Sequence, residues 1–248
     1  MIKTLIFDAS FEGFLTAIYD SFYLRTMNVE IHSVITHCSN FLNMEVLVET
    51  DEIKAEKVYR SIETKLNKDI LRQVYYLYLY DTNASFTLAF KYLKLAFKYG
   101  SSISLAKNND IIILVDKYCR RVTLEAHRFT GFVRFKEVSP MVFYSKITPD
   151  YNILPLLINH FANRFSDQNF IIHDHTRELA IFYNKEESII APLSQEKGDE
   201  LSNSSINEDY EELWKSFYKS TTIKERLNPR QQRGYMPKRY WVNLNELS

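Results

Sequence analysis

The dominant hydrophobic period of this chain changes near its middle, and that change limits what it can fold into. Over residues 11–129 the apolar positions recur at helical spacing, as in Phe11, Phe14, Leu15, Ile18 and Phe22. From Gly131 the spacing falls to two: "GFVRFKEV" (131–138) and "MVFYSKITP" (141–149) alternate as strands across a short "SP" turn. An amphipathic helix over "NILPLLINHFANRF" (152–165) follows, with Pro155 tolerable in its first turn. A second hairpin, "NFIIHD" (169–174) and "ELAIFYN" (178–184), turns around "HDHTR". The expected fold is therefore α+β: a helical first half with short strands, then an antiparallel ββαββ unit closed by C-terminal helices. The corresponding division is a mainly helical region over 1–130, the ββαββ unit over 131–190, an acidic and polar linker over 191–207, and a basic helical segment over 208–248.

Local signals place the first-half elements. A strand is expected over 4–9, with Ser10 capping the helix behind it, and a second strand over 44–50. Asp51 is placed to cap a helix running to about residue 67. Helices over 68–80, 84–99 and 109–129 follow, Gly100 ending the middle one. The tyrosines at 75, 76, 78, 80, 92 and 99 read as half-buried packing.

Composition excludes several classes. With 248 residues and 46% hydrophobic content the chain builds a sizeable core, and five glycines leave no phosphate-cradling loop. Cys38 and Cys119 lie far apart without metal spacing, so a reduced chain with no disulfide framework and no cofactor of its own is expected. Asp8 interrupts the apolar opening and no apolar run approaches membrane-spanning length, so a cytoplasmic protein without a signal peptide is expected.

Net charge is zero, yet the charges are segregated. Residues 186–212 hold nine acids against one lysine, and residues 215–241 hold eight cations against one acid. Residues 117–136 add six cations against Glu125. The candidate nucleic-acid contacts are Arg128, Arg134, Arg177, Arg226, Arg230, Arg233, Lys238 and Arg239. In "NPRQQRGYMPKRYW" (228–241) the rings read as plugs onto a core and the cations as the grip. Lys238 and Arg239 fall in the first turn of a helix expected from residue 238 to about 247, where the dipole disfavours cations unless an anion is close.

For chemistry the candidates are His127, His160, His173 and Asp174, which would serve a general acid–base centre if they converged. None has metal-ligand spacing, so no metal is expected. Asp174 also suits a tight turn with Arg177 as its ion partner. Cys119, between Tyr118 and Arg120, reads as a buried inert thiol. If the two hairpins share one sheet, Arg134, His173 and Arg177 would line a common rim, and the open face of that sheet would offer cations and rings.

Six stretches carry a resemblance: "FEGFLTAIYDSFY", "EAHRFTGFVRF", "PDYNILPLLINHFANRF", "FIIHDHTRELAIFY", "ELWKSFYKSTTIKERLNP" and "MPKRYW". In order and spacing they resemble the bacterial family described as "probable DNA metabolism protein", over most of the chain from Phe7 onward. That resemblance implies a DNA-repair context and a radical-SAM companion described as a DNA modification or repair protein. The same domain is also found fused to uracil-DNA glycosylase-like domains. It supplies no catalytic residue, and the family pattern carries a basic residue where this chain has His175. The function expected is a DNA-binding accessory acting with that radical-SAM partner. The alternatives are a nucleic-acid-processing hydrolase or lyase using the four His/Asp candidates, or a pure protein–protein adaptor.

Overall fold

The computed structural model describes residues 2–24, 28–39, 42–204 and 228–244. The chain divides into two compact units, residues 1–123 and 124–248, and the division falls inside one long helix, α5.

In the first unit β1 (Ile2–Phe7) is the middle strand of a three-stranded parallel sheet, flanked by β2 (Val29–Ser33) and β3 (Asn43–Leu47). The helices are α1 (Phe11–Tyr23), α2 (Glu52–Lys65), α3 (Lys68–Leu79), α4 (Asn83–Tyr99) and the start of α5 (Asp110–Phe132). Each starts or stops where its chemistry directs. Ser10 Oγ accepts from the Gly13 amide at 2.9 Å, Asp51 from Ile53 and Lys54, and Asn67 from Ile70 at 2.8 Å. Thr82 and Ser85 form a reciprocal capping box. Gly100 ends α4 at φ 84°, a conformation that costs a residue with a Cβ. The core joins Leu5, Phe7, Phe14 and Ile18 to Ile62, Val74, Phe86 and Leu93.

The second unit is a five-stranded sheet in the order β4 (Lys136–Ser139), β5 (Val142–Ile147), β6 (Asn169–Asp174), β7 (Leu179–Tyr183), β8 (Ser188–Pro192). Its neighbours are antiparallel except for β5 and β6, which run parallel, Tyr144 opposite Ile171 and Lys146 opposite His173. A purely antiparallel unit is thereby corrected. The helix between them, α6 (Leu154–Arg164), is a crossover that returns the chain to the same end before β6 begins.

Three further expectations change. Residues 131–135 do not alternate as strand. Helix α5 continues to Phe132, because Phe129 and Phe132 both pack against Tyr240, at ring-centroid distances of 5.0 and 5.7 Å. The supposed linker carries β8 to Pro192 and then α7 (Gln195–Asn203), capped by Ser194. Each face of the sheet also carries a helix, so neither is open throughout: α6 packs on β7 and β8, while α7 packs on β4 and β5. Alternation along β6 explains this, since Phe170 and Ile172 belong to one face, where Phe170 meets Phe161 of α6, and Ile171 and His173 to the other.

After residue 227 come α8 (Pro229–Tyr235), capped by Asn228, and a six-residue 3-10 turn over Lys238–Asn243 instead of an α-helix. Of the three rings in 228–241, Tyr240 is buried and Trp241 half-buried, so these act as plugs, with Leu244 buried beside them in sequence, whereas Tyr235 is exposed and does not.

Candidate functional site

The turn that follows β5, residues 148–151, gathers side chains from three distant parts of the sequence. The amides of Asp150 and Tyr151 donate to the two Glu125 carboxylate oxygens at 3.0 and 2.9 Å. Tyr240 Oη donates to the same carboxylate, and accepts from Arg239 Nη2 at 2.7 Å. Arg239 also pairs with the Asp150 carboxylate at 2.8 Å and lies over the Tyr240 ring. From the β6–β7 turn, Arg177 donates to the carbonyls of Pro149 and Asp150 at 3.1 and 2.8 Å, and to Asp174 Oδ2 at 3.0 Å. Asn243 Nδ2 closes the ring on Thr148 Oγ1 at 2.9 Å.

Two buried carboxylates organise this cluster. Glu125 is 2% exposed; burial pushes its pKa up, and the donors from Tyr240, Asp150 and Tyr151 pull it back. Asp174 is fully buried, is pushed up by burial in the same way, and is held down by Arg177. Its other oxygen accepts from the Thr176 and Arg177 amides, which fixes the tight turn. The anion demanded by the cation in the first turn of the last segment is Asp150, from the chain itself.

The histidines have separate surroundings. His127 is exposed on α5, and His160 packs edge-on against Phe161 on α6 with its Nε2 buried and without a partner among the described residues. His173 is fully buried. Its Nε2 lies 3.0 Å from the Leu193 carbonyl and its Nδ1 2.8 Å from Tyr144 Oη, so Nε2 carries the proton and Nδ1 accepts from the tyrosine. A Cβ added to Gly198 of α7 would come within 2.3 Å of the His173 ring, which shows how closely that helix seals it. Burial depresses the His173 pKa. Among the described residues no three His, Cys, Asp or Glu side chains form a group able to hold a metal. Burial also pushes the Cys119 thiol up to about 12, the opposite of activation by its cationic neighbours.

The eight candidate cations separate by what they touch. Arg128 donates to the Gly234 carbonyl at 3.1 Å, and Arg134 to the carbonyls of Gly131 and Val133 at the end of α5. Arg177 is engaged with the 148–151 turn and Arg239 with Asp150. The rim of Arg134, His173 and Arg177 is therefore not formed: one caps a helix, one is sealed under α7, and one grips a turn. Arg226 lies outside the described residues. Arg230, Arg233 and Lys238 are exposed, with Tyr235 71% exposed beside them in sequence. Arg233 Nε bonds the Pro229 carbonyl at 2.9 Å and Lys238 Nζ lies 5.8 Å from the Trp241 ring centroid.

Reading the sequence singled out histidines and cations; Glu125, Asp150, Tyr240 and Asn243 went unassigned as a cluster. The "PDY" turn residues and a lone acid among six cations were the available signals. Among the described residues no helix is long and apolar enough to cross a membrane. Searches among characterised proteins and among solved structures return no match. A family model, a domain of unknown function termed DUF4130, matches residues 83–246, which takes in α4, α5 and all of the cluster around residues 148–151, and the chain belongs to that family.

Proposed function

We propose that this protein is a cytoplasmic nucleic-acid-binding accessory of DNA metabolism, which presents DNA to a radical-SAM repair or modification partner. The observation that supports it is the state of the C-terminal segment. Arg230, Arg233 and Lys238 are exposed on a stretch whose neighbours Tyr240 and Leu244 are buried, so the cations stand on an anchored support beside the exposed Tyr235 ring. Phosphate contacts need cations that reach solvent, and an exposed ring offers a base a stacking surface. The partner and the repair context rest on the sequence resemblance. The sealed surroundings of His173 favour a binding role over a hydrolase or lyase built on the histidines.

The test is a salt series of binding to single-stranded, duplex and uracil-containing DNA. Each of Arg230→Ala, Arg233→Ala and Lys238→Ala should reduce the slope of log affinity against log salt by about 0.7 to 0.9, with little change in thermal stability. Unchanged slopes in all three would reject the grip. Co-purification with the radical-SAM protein from the native host tests the partnership separately.

A further inference from the structure

In the first unit, β2 and the turn after it bring two imidazoles face to face. His32 is on the half-buried side of β2 with Glu30. The chain turns immediately afterwards, with the Thr36 and His37 amides both bonded to the Ser33 carbonyl, and this folds His37 back. The two Nδ1 atoms lie 3.0 Å apart. The other nitrogens face carboxylates: His32 Nε2 lies 3.4 Å from Glu30 and His37 Nε2 3.2 Å from Glu45 of β3. The second contact meets the distance for an ion pair without hydrogen-bond alignment. Both rings are largely covered, at 16% and 13% side-chain exposure.

Protons alone fill this arrangement badly. If both rings are neutral, one proton sits between the Nδ1 atoms, and the ring that supplies it turns a bare Nε2 lone pair toward a carboxylate. A third proton removes that clash and leaves an imidazolium pressed against a second imidazole in a covered site. A divalent ion in place of the shared proton meets every requirement. Both Nδ1 lone pairs bind the ion, both Nε2–H groups point at carboxylates, and two positive charges stand against Glu30 and Glu45. Metal-bound histidines usually carry such a carboxylate on the far nitrogen, where it fixes tautomer and ring orientation.

We propose that His32 and His37 form a binding site for a divalent transition metal, each ring oriented by the carboxylate behind it. Imidazole donors select zinc, copper or nickel over magnesium and calcium. Zinc–nitrogen bonds of about 2.0–2.1 Å span the present gap after the rings open by a few tenths of an ångström. Among the described residues no third His, Cys, Asp or Glu completes a ligand group, so the remaining positions are open to water or to an incoming ligand. His32 also lines a pocket with Glu30, Asn83, Lys91 and Tyr118, which gives such a ligand a place to sit. The site lies outside the residues that the family model matches.

Chelator-treated, full-length protein titrated with zinc by calorimetry should take up one ion per chain at micromolar concentrations. His32→Gln and His37→Gln should each abolish that uptake, and Glu45→Gln should weaken it by about 10- to 100-fold. Nitrogen-15 spectra of the unaltered protein give a reading that survives any folding defect in the variants: zinc should shift the Nδ1 signals of both rings together. Three results would overturn the site: no uptake by the native chain, uptake unchanged in both histidine variants, or Nδ1 signals that ignore zinc.

Discussion

Replacing Tyr240 with phenylalanine isolates one hydroxyl in the cluster around residues 148–151. The ring stays, and with it the contacts to Phe129 and Phe132, so the cavity cost of a large-to-small change does not arise. What disappears is the donor to Glu125 and the acceptor for Arg239. Glu125, 2% exposed, keeps the Asp150 and Tyr151 amides but loses its third donor. A hydrogen bond to a charged group contributes about 1.5–3 kcal/mol, and that is the expected loss. Arg239 adds little, because its side chain is 51% exposed and retains Asp150. For a chain of this size the loss corresponds to a fall in Tm of about 3–12 °C. Urea unfolding followed by circular dichroism should show a lower midpoint at unchanged slope. Measuring Tyr240→Phe again in a Glu125→Gln background closes a double-mutant cycle. A midpoint within about 0.5 kcal/mol of the parent, or an equal loss in both backgrounds, would refute the claim that this hydroxyl holds Glu125.

Other expectations follow from the second unit and the cysteines. Gly198→Ala places a Cβ 2.3 Å from the His173 ring and 2.9 Å from Tyr144 Oη, so the unit should lose about 1–3 kcal/mol in urea unfolding; no loss would mean α7 does not seal that ring. Burial holds the folded pKa of His173 below its ordinary 6.5, so under that value the unfolded chain takes a proton that the folded chain refuses. Its contribution is complete above pH 6.5 and is lost as pH falls through the depressed folded value, which NMR titration of the ring checks; titration at or above 6.5 contradicts the burial argument. A thiol reagent at neutral pH should label the exposed Cys38 and spare Cys119 until denaturant is added, and prompt double labelling of the native protein contradicts the packing around Cys119.

How far the sequence could be read depended on whether a feature was local. Ser10, Asp51, Asn67, Thr82 and Gly100 act within a few residues of themselves, so the helices they bound are visible in one dimension. Strand β2, "VEIHS", hides because three of its five residues are polar and its neighbours come from elsewhere. The parallel pairing of β5 with β6 leaves no mark in the period of either strand; only the intervening helix hints at it. Residues 131–135 mislead because Val133 and Phe135 alternating with Arg134 look like a strand until Tyr240 is seen lying on Phe129 and Phe132. The cluster at 148–151 depended mostly on the fold: standing alone among six cations marks Glu125, but only the folded chain aims two amides and a phenol at it.

The bond between Tyr240 and Glu125 joins residues 115 positions apart, and this sets an order of events on the ribosome. At about 5–20 residues per second, Glu125 waits roughly 6–23 s after its own synthesis before its last donor exists. The first unit's wait is shorter: Tyr78, whose hydroxyl donates to the Ala9 carbonyl, follows it by 69 positions, or roughly 3–14 s. The nascent chain thus carries a finished domain ahead of an unfinished one whose buried acid is still incompletely paired. The second unit is where chaperones, stalled translation or premature release would leave their mark.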